Sequence, residues 1–152
     1  MENIITIRRW DNDEVIFLYA CENNTICKTV KEAIRQGISL AYANLSHADL
    51  KGLDLSNVCL SHADLRNADL FLADLTNANL TDANLHNANL NYTKITPGQL
   101  INVKGINDQC PKEGSFIGWK KCHNDYKFFV VKLEIPADAN RCSSTGKKCR
   151  CN

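Results

Sequence analysis

The sequence predicts a mainly β protein built from three consecutive segments. These are a small αβ cap over residues 1–37, a β-solenoid over residues 38–95 and a small, basic β-hairpin domain over residues 96–152. Three observations carry the prediction: a five-residue leucine period in the middle, alternating apolar residues in both flanks, and an uneven charge. The formal charge is +1 for the chain, but −1, −3 and +5 for the successive segments, which indicates three different surfaces.

Leucine recurs at every fifth position from Leu40 to Leu90, and Ile95 continues the series. A small or apolar residue stands two positions before each leucine, and Asn or Asp usually stands directly before it. A helix, turning about 100° per residue, would scatter these leucines around its surface. A straight strand would send alternate leucines to opposite faces. The chain must therefore turn a corner once in every five residues, always with the same side inward, as in a solenoid.

Tandem segments such as Ala43-Asn44-Leu45-Ser46-His47 and Ala68-Asp69-Leu70-Phe71-Leu72 resemble the pentapeptide-repeat family. The resemblance implies a right-handed quadrilateral β-helix with four repeats per coil, hence about three coils. It also implies that each central leucine, and the residue two before it, point inward. Asn and Asp suit the bends because they tolerate left-handed backbone angles and bond nearby backbone groups.

The flanks read as covers for the two ends of the column. Residues 4–7 and 15–20 predict strands separated by a turn at residues 11–13. Thr29 and Glu32 fit a capping box, which predicts a helix that ends at Gly37. Residues 116–121 and 126–135 predict a β-hairpin, and the chain after Pro136 is polar, basic and rich in turn residues.

One side of the predicted column is apolar where its outer surface should be polar. Stacking every twentieth residue brings together Phe71, Leu72 and Tyr92. Two interpretations stay open: a flanking segment folds back over them, or they form a patch for a partner or for self-association.

The same stacking places acidic side chains in rows. Asp49 lies next to Asp69, and Asp54 next to Asp74. Some members of the family that the repeats resemble use such rows to mimic DNA. The alternative interpretation is a set of polar turn ladders, since the acids are diluted by asparagines.

The last segment holds candidates for metal and anion binding. Zn²⁺ favours thiolate and imidazole ligands, but the paired C-x₂-C spacing is absent, so free thiols and disulfides stay open beside zinc. The cysteines concerned are Cys110, Cys122, Cys142, Cys149 and Cys151. A small-anion patch or merely solvated basic residues would explain Trp119, Lys120, Lys121, Arg141, Lys147, Lys148 and Arg150. A phosphate loop is not expected, because its first glycine and following helix are missing.

Segments such as Gly118-Trp119-Lys120-Lys121 and Val131–Pro136 resemble an uncharacterised domain that accompanies pentapeptide repeats in phage and prophage proteins. This resemblance implies a viral origin and assigns no activity.

These observations predict a non-enzymatic binding or scaffold protein that engages a protein partner, such as a host factor or a defence component, with DNA mimicry as a variant. The alternatives are a small-anion or nucleotide binder using the basic domain, and a structural component of a particle. We expect no cofactor, no direct nucleic-acid contact, and self-association as a further use of the surface. No signal peptide or apolar span is recognisable, which predicts a cytoplasmic protein. The histidines lie mostly at convex, outward positions without a nucleophile, so no catalytic residue is predicted.

Overall fold

The structure, a computed structural model, describes residues 2–100 and 102–105, together with the backbone of four later strands. Its helices and strands are β1 (Glu2–Arg8), β2 (Val15–Glu22), α1 (Ile26–Arg35), a 3-10 helix (Pro97–Leu100), β3 (Phe116–His123), β4 (Phe128–Ile135), β5 (Arg141–Ser144) and β6 (Lys148–Cys151).

The N-terminal segment is an antiparallel hairpin, β1–β2, followed by helix α1. The side chain of Thr25 caps the helix by accepting the Lys28 N–H, so the predicted capping box at Thr29 is wrong. Thr29 is buried within the helix, where its hydroxyl donates to the Thr25 carbonyl oxygen at 3.1 Å. The helix thus begins one turn earlier than predicted, and it ends before Gly37, whose φ of 70° is left-handed as expected of a terminating glycine.

The middle segment is a β-solenoid, in agreement with the prediction. Parallel bridges join residues twenty positions apart in four series: 44–64–84–104, 49–69–89, 54–74–94 and 59–79. Successive levels are held by backbone hydrogen bonds, such as Leu65 N to Asn84 O and Asp64 N to Ala43 O, both 2.9 Å. We call the segment from Ile38 to Lys104 the column.

The interior of the column is filled by the leucines of the five-residue period, as predicted. Every such leucine from Leu40 to Leu85 is at most 2% exposed, and the alanines two positions before them are buried as well. Small side chains at these positions let the neighbouring backbone approach, while the leucines meet along the axis and supply the buried apolar area that drives folding.

Each corner of the column is a turn closed by a hydrogen bond from the residue three positions after a leucine, as from Ala43 N to Leu40 O at 3.1 Å. The residue two positions after the leucine has a φ near +60°, and we call this the corner position. The Asn or Asp before the leucine instead accepts the N–H two residues later, as Asp54 does from Ser56 at 2.9 Å. The predicted hydrogen bonding of these residues is confirmed, but their predicted left-handed angle is wrong, because it belongs to the corner position.

The hydrogen-bonded column continues past Ile95, the last residue of the predicted solenoid, and Leu100 follows at the same spacing of five. The side-chain amide of Gln99 donates to the carbonyl oxygens of Leu75 at 2.7 Å and Ala78 at 2.9 Å. Lys104 then pairs with Asn84, and Leu100 and Val103 are buried in the core. The 3-10 helix at Pro97 is therefore a detour within the stack that keeps the twenty-residue register.

The later strands form two separate antiparallel hairpins, β3–β4 and β5–β6. The first was predicted; the second lies in the stretch that the sequence predicts only as polar, basic and turn-rich. In the parts of the chain that the structure describes, no helix has the length and apolar character needed to cross a bilayer.

Candidate interaction surface

The corner positions line the outside of the column, and most carry residues that accept a left-handed backbone. Asn, Asp, His or Gly occupies eight of the eleven corners between Tyr42 and Tyr92; the exceptions are Tyr42, Leu72 and Tyr92. A left-handed angle at an ordinary side chain is sterically unfavourable, whereas Gly and Asn reach it readily. The three exceptions therefore carry strain that a different residue would avoid.

Two of the strained corners belong to the apolar patch predicted from the sequence. Leu72 is 57% exposed and Tyr92 is 64% exposed, and the two residues lie in adjacent levels of one row. Phe71 meets Tyr92 edge to face, with 5.5 Å between the ring centroids. Gly52 occupies the same corner one level away, and an added Cβ there would meet nothing within 4 Å.

We call Phe71, Leu72 and Tyr92 the corner patch. Leu72 and Tyr92 stay exposed, so no side chain among residues 2–100 and 102–105 covers them. The corner at Gly52, one level from Leu72, has no side chain and open space around it.

The acidic rows are partly neutralised from within, by two lysines against four aspartates. Lys51 lies 3.1 Å from Asp69 and 3.9 Å from Asp49, while Lys94 lies 2.9 Å from Asp74, which is next to Asp54 in its row. Hydrogen bonds from the Thr76 side chain, then from Lys94 and the Thr76 N–H, lower the pKa of Asp74 to about 2. The rows are therefore local networks of ion pairs and turn hydrogen bonds, rather than an unbroken negative strip.

Asp64, the remaining aspartate that stands directly before a leucine of the repeat, is also paired with a basic side chain. Its carboxylate is buried and accepts a two-pronged contact from the Arg66 guanidinium, with Nη2 to Oδ2 at 2.6 Å. Burial opposes ionisation here, but the hydrogen bonds from Arg66 outweigh it and lower the pKa of Asp64. A bidentate arginine contact of this kind holds the carboxylate in place.

A contact that the sequence did not predict fixes the N-terminal hairpin to the column. The guanidinium of Arg9 lies over the Tyr42 ring at 4.2 Å, and the Trp10 indole N–H donates to the His62 carbonyl oxygen at 2.6 Å. Tyr42 stacks on His62 with 4.6 Å between centroids, and His62 lies 3.9 Å from Asp82. The stacking of Tyr42, His62 and Asp82 follows from the twenty-residue spacing. We call the two contacts made by Arg9 and Trp10 the clamp. In the sequence, only the presence of an arginine and a tryptophan just after β1 could have indicated it.

The structure places the C-terminal candidates only by strand register. On β3, Trp119, Lys120 and Lys121 lie opposite Lys132, Val131 and Val130. On the β5–β6 hairpin, Arg141 lies opposite Cys151, and Cys142 opposite Arg150.

The same hairpin includes Cys149 and Lys148, and Cys122 lies on β3 opposite Phe129. Cys110 and Lys147 lie outside the described residues. The zinc and anion sites therefore stay predictions. Among the side chains that the structure does describe, no cluster of three or more potential metal ligands occurs.

Two family models match the chain, and the boundary between them coincides with the end of the column at Lys104. Residues 36–70 and 68–103 each match the family model described as pentapeptide repeats (8 copies). Residues 106–152 match a family of unknown function (DUF5758). No curated protein and no solved structure matches the chain. The family match and the twenty-residue hydrogen-bond register together identify residues 36–103 as a pentapeptide-repeat solenoid.

Proposed function

We propose that the protein is a non-catalytic scaffold that binds a protein partner through the corner patch. In this proposal the column is a right-handed, four-sided β-helix of about three coils, covered at its N-terminal end by the hairpin and α1. The twenty-residue spacing of the bridges supports four quintets in each coil. The phage origin, the cytoplasmic setting and a host protein as partner belong to the same proposal and rest on the resemblances in the sequence.

The observation that carries the proposal is the choice of residues at the patch. Leu72 and Tyr92 each accept a left-handed backbone and expose more than half of a large side chain to water. Neither feature favours folding, and the neighbouring Asn67, Asn77 and Asn87 show what the corner otherwise uses. Departures from a local rule without a gain in stability are expected at functional sites. Apolar side chains on a rigid support match the buried centre of a protein interface.

The partial neutralisation of the acidic rows bears on the choice of partner. Lys51 lies in the same stack as Phe71, one level away, and Lys94 lies in the adjoining row 54–74–94; each contacts an aspartate. An apolar centre beside charges that are largely paired favours a protein segment with apolar side chains as the partner. It does not favour an enzyme that recognises the negative charge of DNA. DNA mimicry is therefore the less favoured variant.

The proposal is tested by capture from host lysate, with matched variants as baits. Leu72→Asn combined with Tyr92→Asn removes the apolar groups and leaves residues that suit the left-handed corners. We expect the wild-type protein to retain a specific host protein and the double variant to lose it. A control, Asn57→Ser with Asn77→Ser, alters corners elsewhere on the column and should retain the same protein. If the wild type and the patch variant retain the same proteins, the patch is not the binding surface.

A further inference from the structure

The N-terminal hairpin has one face on the core and one face in water. Ile7 is buried, and Phe17 opposite it packs against the core. On the other side, Ile4 is 67% exposed, Leu18 57% and Val15 44%. A two-stranded sheet is marginal by itself and gains stability when its faces are covered.

The strand register gathers the exposed apolar residues into one stripe. Ile4 pairs with Ala20 and Thr6 with Leu18, and residues directly opposite in an antiparallel pair share a face. We call this stripe the outer face of the hairpin. It lies on β1 and β2, whereas the corner patch lies in the column.

The two ends of the outer face differ in charge. At one end Glu2 is directly opposite Glu22, and neither carboxylate forms an ion pair with a residue that the structure describes. Two like charges in this position destabilise a strand pair. At the other end Arg8 lies opposite Val15, with its side chain 47% exposed. Its Nη1 donates to the Asp13 carbonyl oxygen at 2.9 Å and lies 3.5 Å from the exposed Asp13 carboxylate.

We infer that the outer face binds the same face of a second copy of the chain. A two-fold axis that lies in the interface and perpendicular to the strands brings one patch against itself with the strand direction reversed. Glu2 and Glu22 of one copy then lie against Arg8 of the other, and the two-fold symmetry repeats this contact at the opposite end of the interface. The apolar stripe is covered in the same step, so both unfavourable features of the isolated hairpin are relieved together. A partner of another kind would have to reproduce this order of charges, whereas the second copy carries it already.

The first test measures the mass of the full-length protein in solution by sedimentation equilibrium at about 50 µM, a concentration that populates dimers of micromolar affinity. We expect about twice the chain mass of 17.0 kDa. Leu18→Lys should give the monomer with an unchanged circular dichroism spectrum, since this side chain is exposed in the single chain. Leu72→Lys is the matched control, because Leu72 is equally exposed and lies on the column; it should remain a dimer.

The second test exchanges the charges. Glu2→Arg with Glu22→Arg, and separately Arg8→Glu, should each weaken self-association by at least about tenfold, as like charges across an interface do. Mixing the two variants in equal amounts should restore a dimer, because both ends then carry opposite charges across the interface. A monomeric wild type, a dimer lost only with Leu72→Lys, or a mixture that stays monomeric would each overturn the inference. None of these outcomes depends on the host partner of the corner patch.

Discussion

A single side-chain position decides how each corner of the column is made. The residue two positions after each leucine adopts φ near +60°, whatever its identity. The backbone conformation is imposed by the hydrogen bonds between levels, such as Leu72 N to Asn91 O at 3.2 Å, together with the turn bond from Ala73 N to Leu70 O at 2.9 Å. The intrinsic preference of the residue therefore adds to or subtracts from stability without changing the fold.

Leu72→Asn should therefore stabilise the protein. Asn enters the left-handed region more readily than Leu, so we expect the free energy of unfolding to rise by about 1 kcal/mol. Asn77→Leu makes the reverse change at the next corner along the chain and should lower it by a similar amount. Urea unfolding followed by circular dichroism measures both. Equal stabilities for all three proteins would show that the corners do not carry the strain assigned to them.

The hydrogen bonds that Asp74 accepts from Thr76 and Lys94 predict a dependence of stability on pH. Asp74 has a pKa of about 2 in the folded protein against an ordinary value of 3.8. A depressed pKa in the folded state contributes stability above about pH 4, and this contribution is lost as the pH falls towards 2. Asp74→Asn retains an oxygen for the Thr76 N–H and removes the charge, so it isolates this effect.

Thermal melts of the wild type and Asp74→Asn should differ at pH 6 and converge near pH 2. The difference should be smaller in a Lys94→Met background, because one of the groups that lowers the pKa of Asp74 is then gone. A difference between the two proteins that stays constant from pH 6 to pH 2 would contradict the assignment.

At the scale of elements, the column depends on close contact between successive levels, and Gly105 shows this most directly. Its φ is 83°, and a Cβ added there would lie 2.3 Å from the backbone nitrogen of His86. Gly52 has a similar φ of 61° but open space around it. Comparing the two glycines separates a backbone preference from a steric clash. Both have a left-handed φ, but only at Gly105 would an added Cβ collide with the neighbouring level.

Gly105→Ala should lower the stability of the protein much more than Gly52→Ala. The second variant bears only the left-handed penalty of about 1 kcal/mol, whereas the first must also displace the neighbouring level. Chemical denaturation of the two variants side by side measures the difference. If Gly52→Ala is as destabilising as Gly105→Ala, the last part of the column is not packed against His86 as described.

At the scale of the whole molecule, the period of five was enough to predict the solenoid and its core, because only one geometry buries every leucine. The corner patch was also predictable, since Phe71, Leu72 and Tyr92 follow from the stacking of every twentieth residue. The sequence did not predict the detour at Pro97, because Gln99 preserves the register through a side chain that replaces backbone hydrogen bonds. It also did not predict the clamp of Arg9 and Trp10, since that contact joins residues more than thirty positions apart.

The central claim is that backbone amides in the column bond to carbonyl groups one level away. Long-range HNCO spectra detect couplings across individual hydrogen bonds and test this directly on the labelled full-length protein. We predict correlations from the amides of Leu65, Leu70 and Leu75 to the carbonyl carbons of Asn84, Asn89 and Lys94. Correlations to the carbonyl four residues earlier, as in an α-helix, would contradict the account.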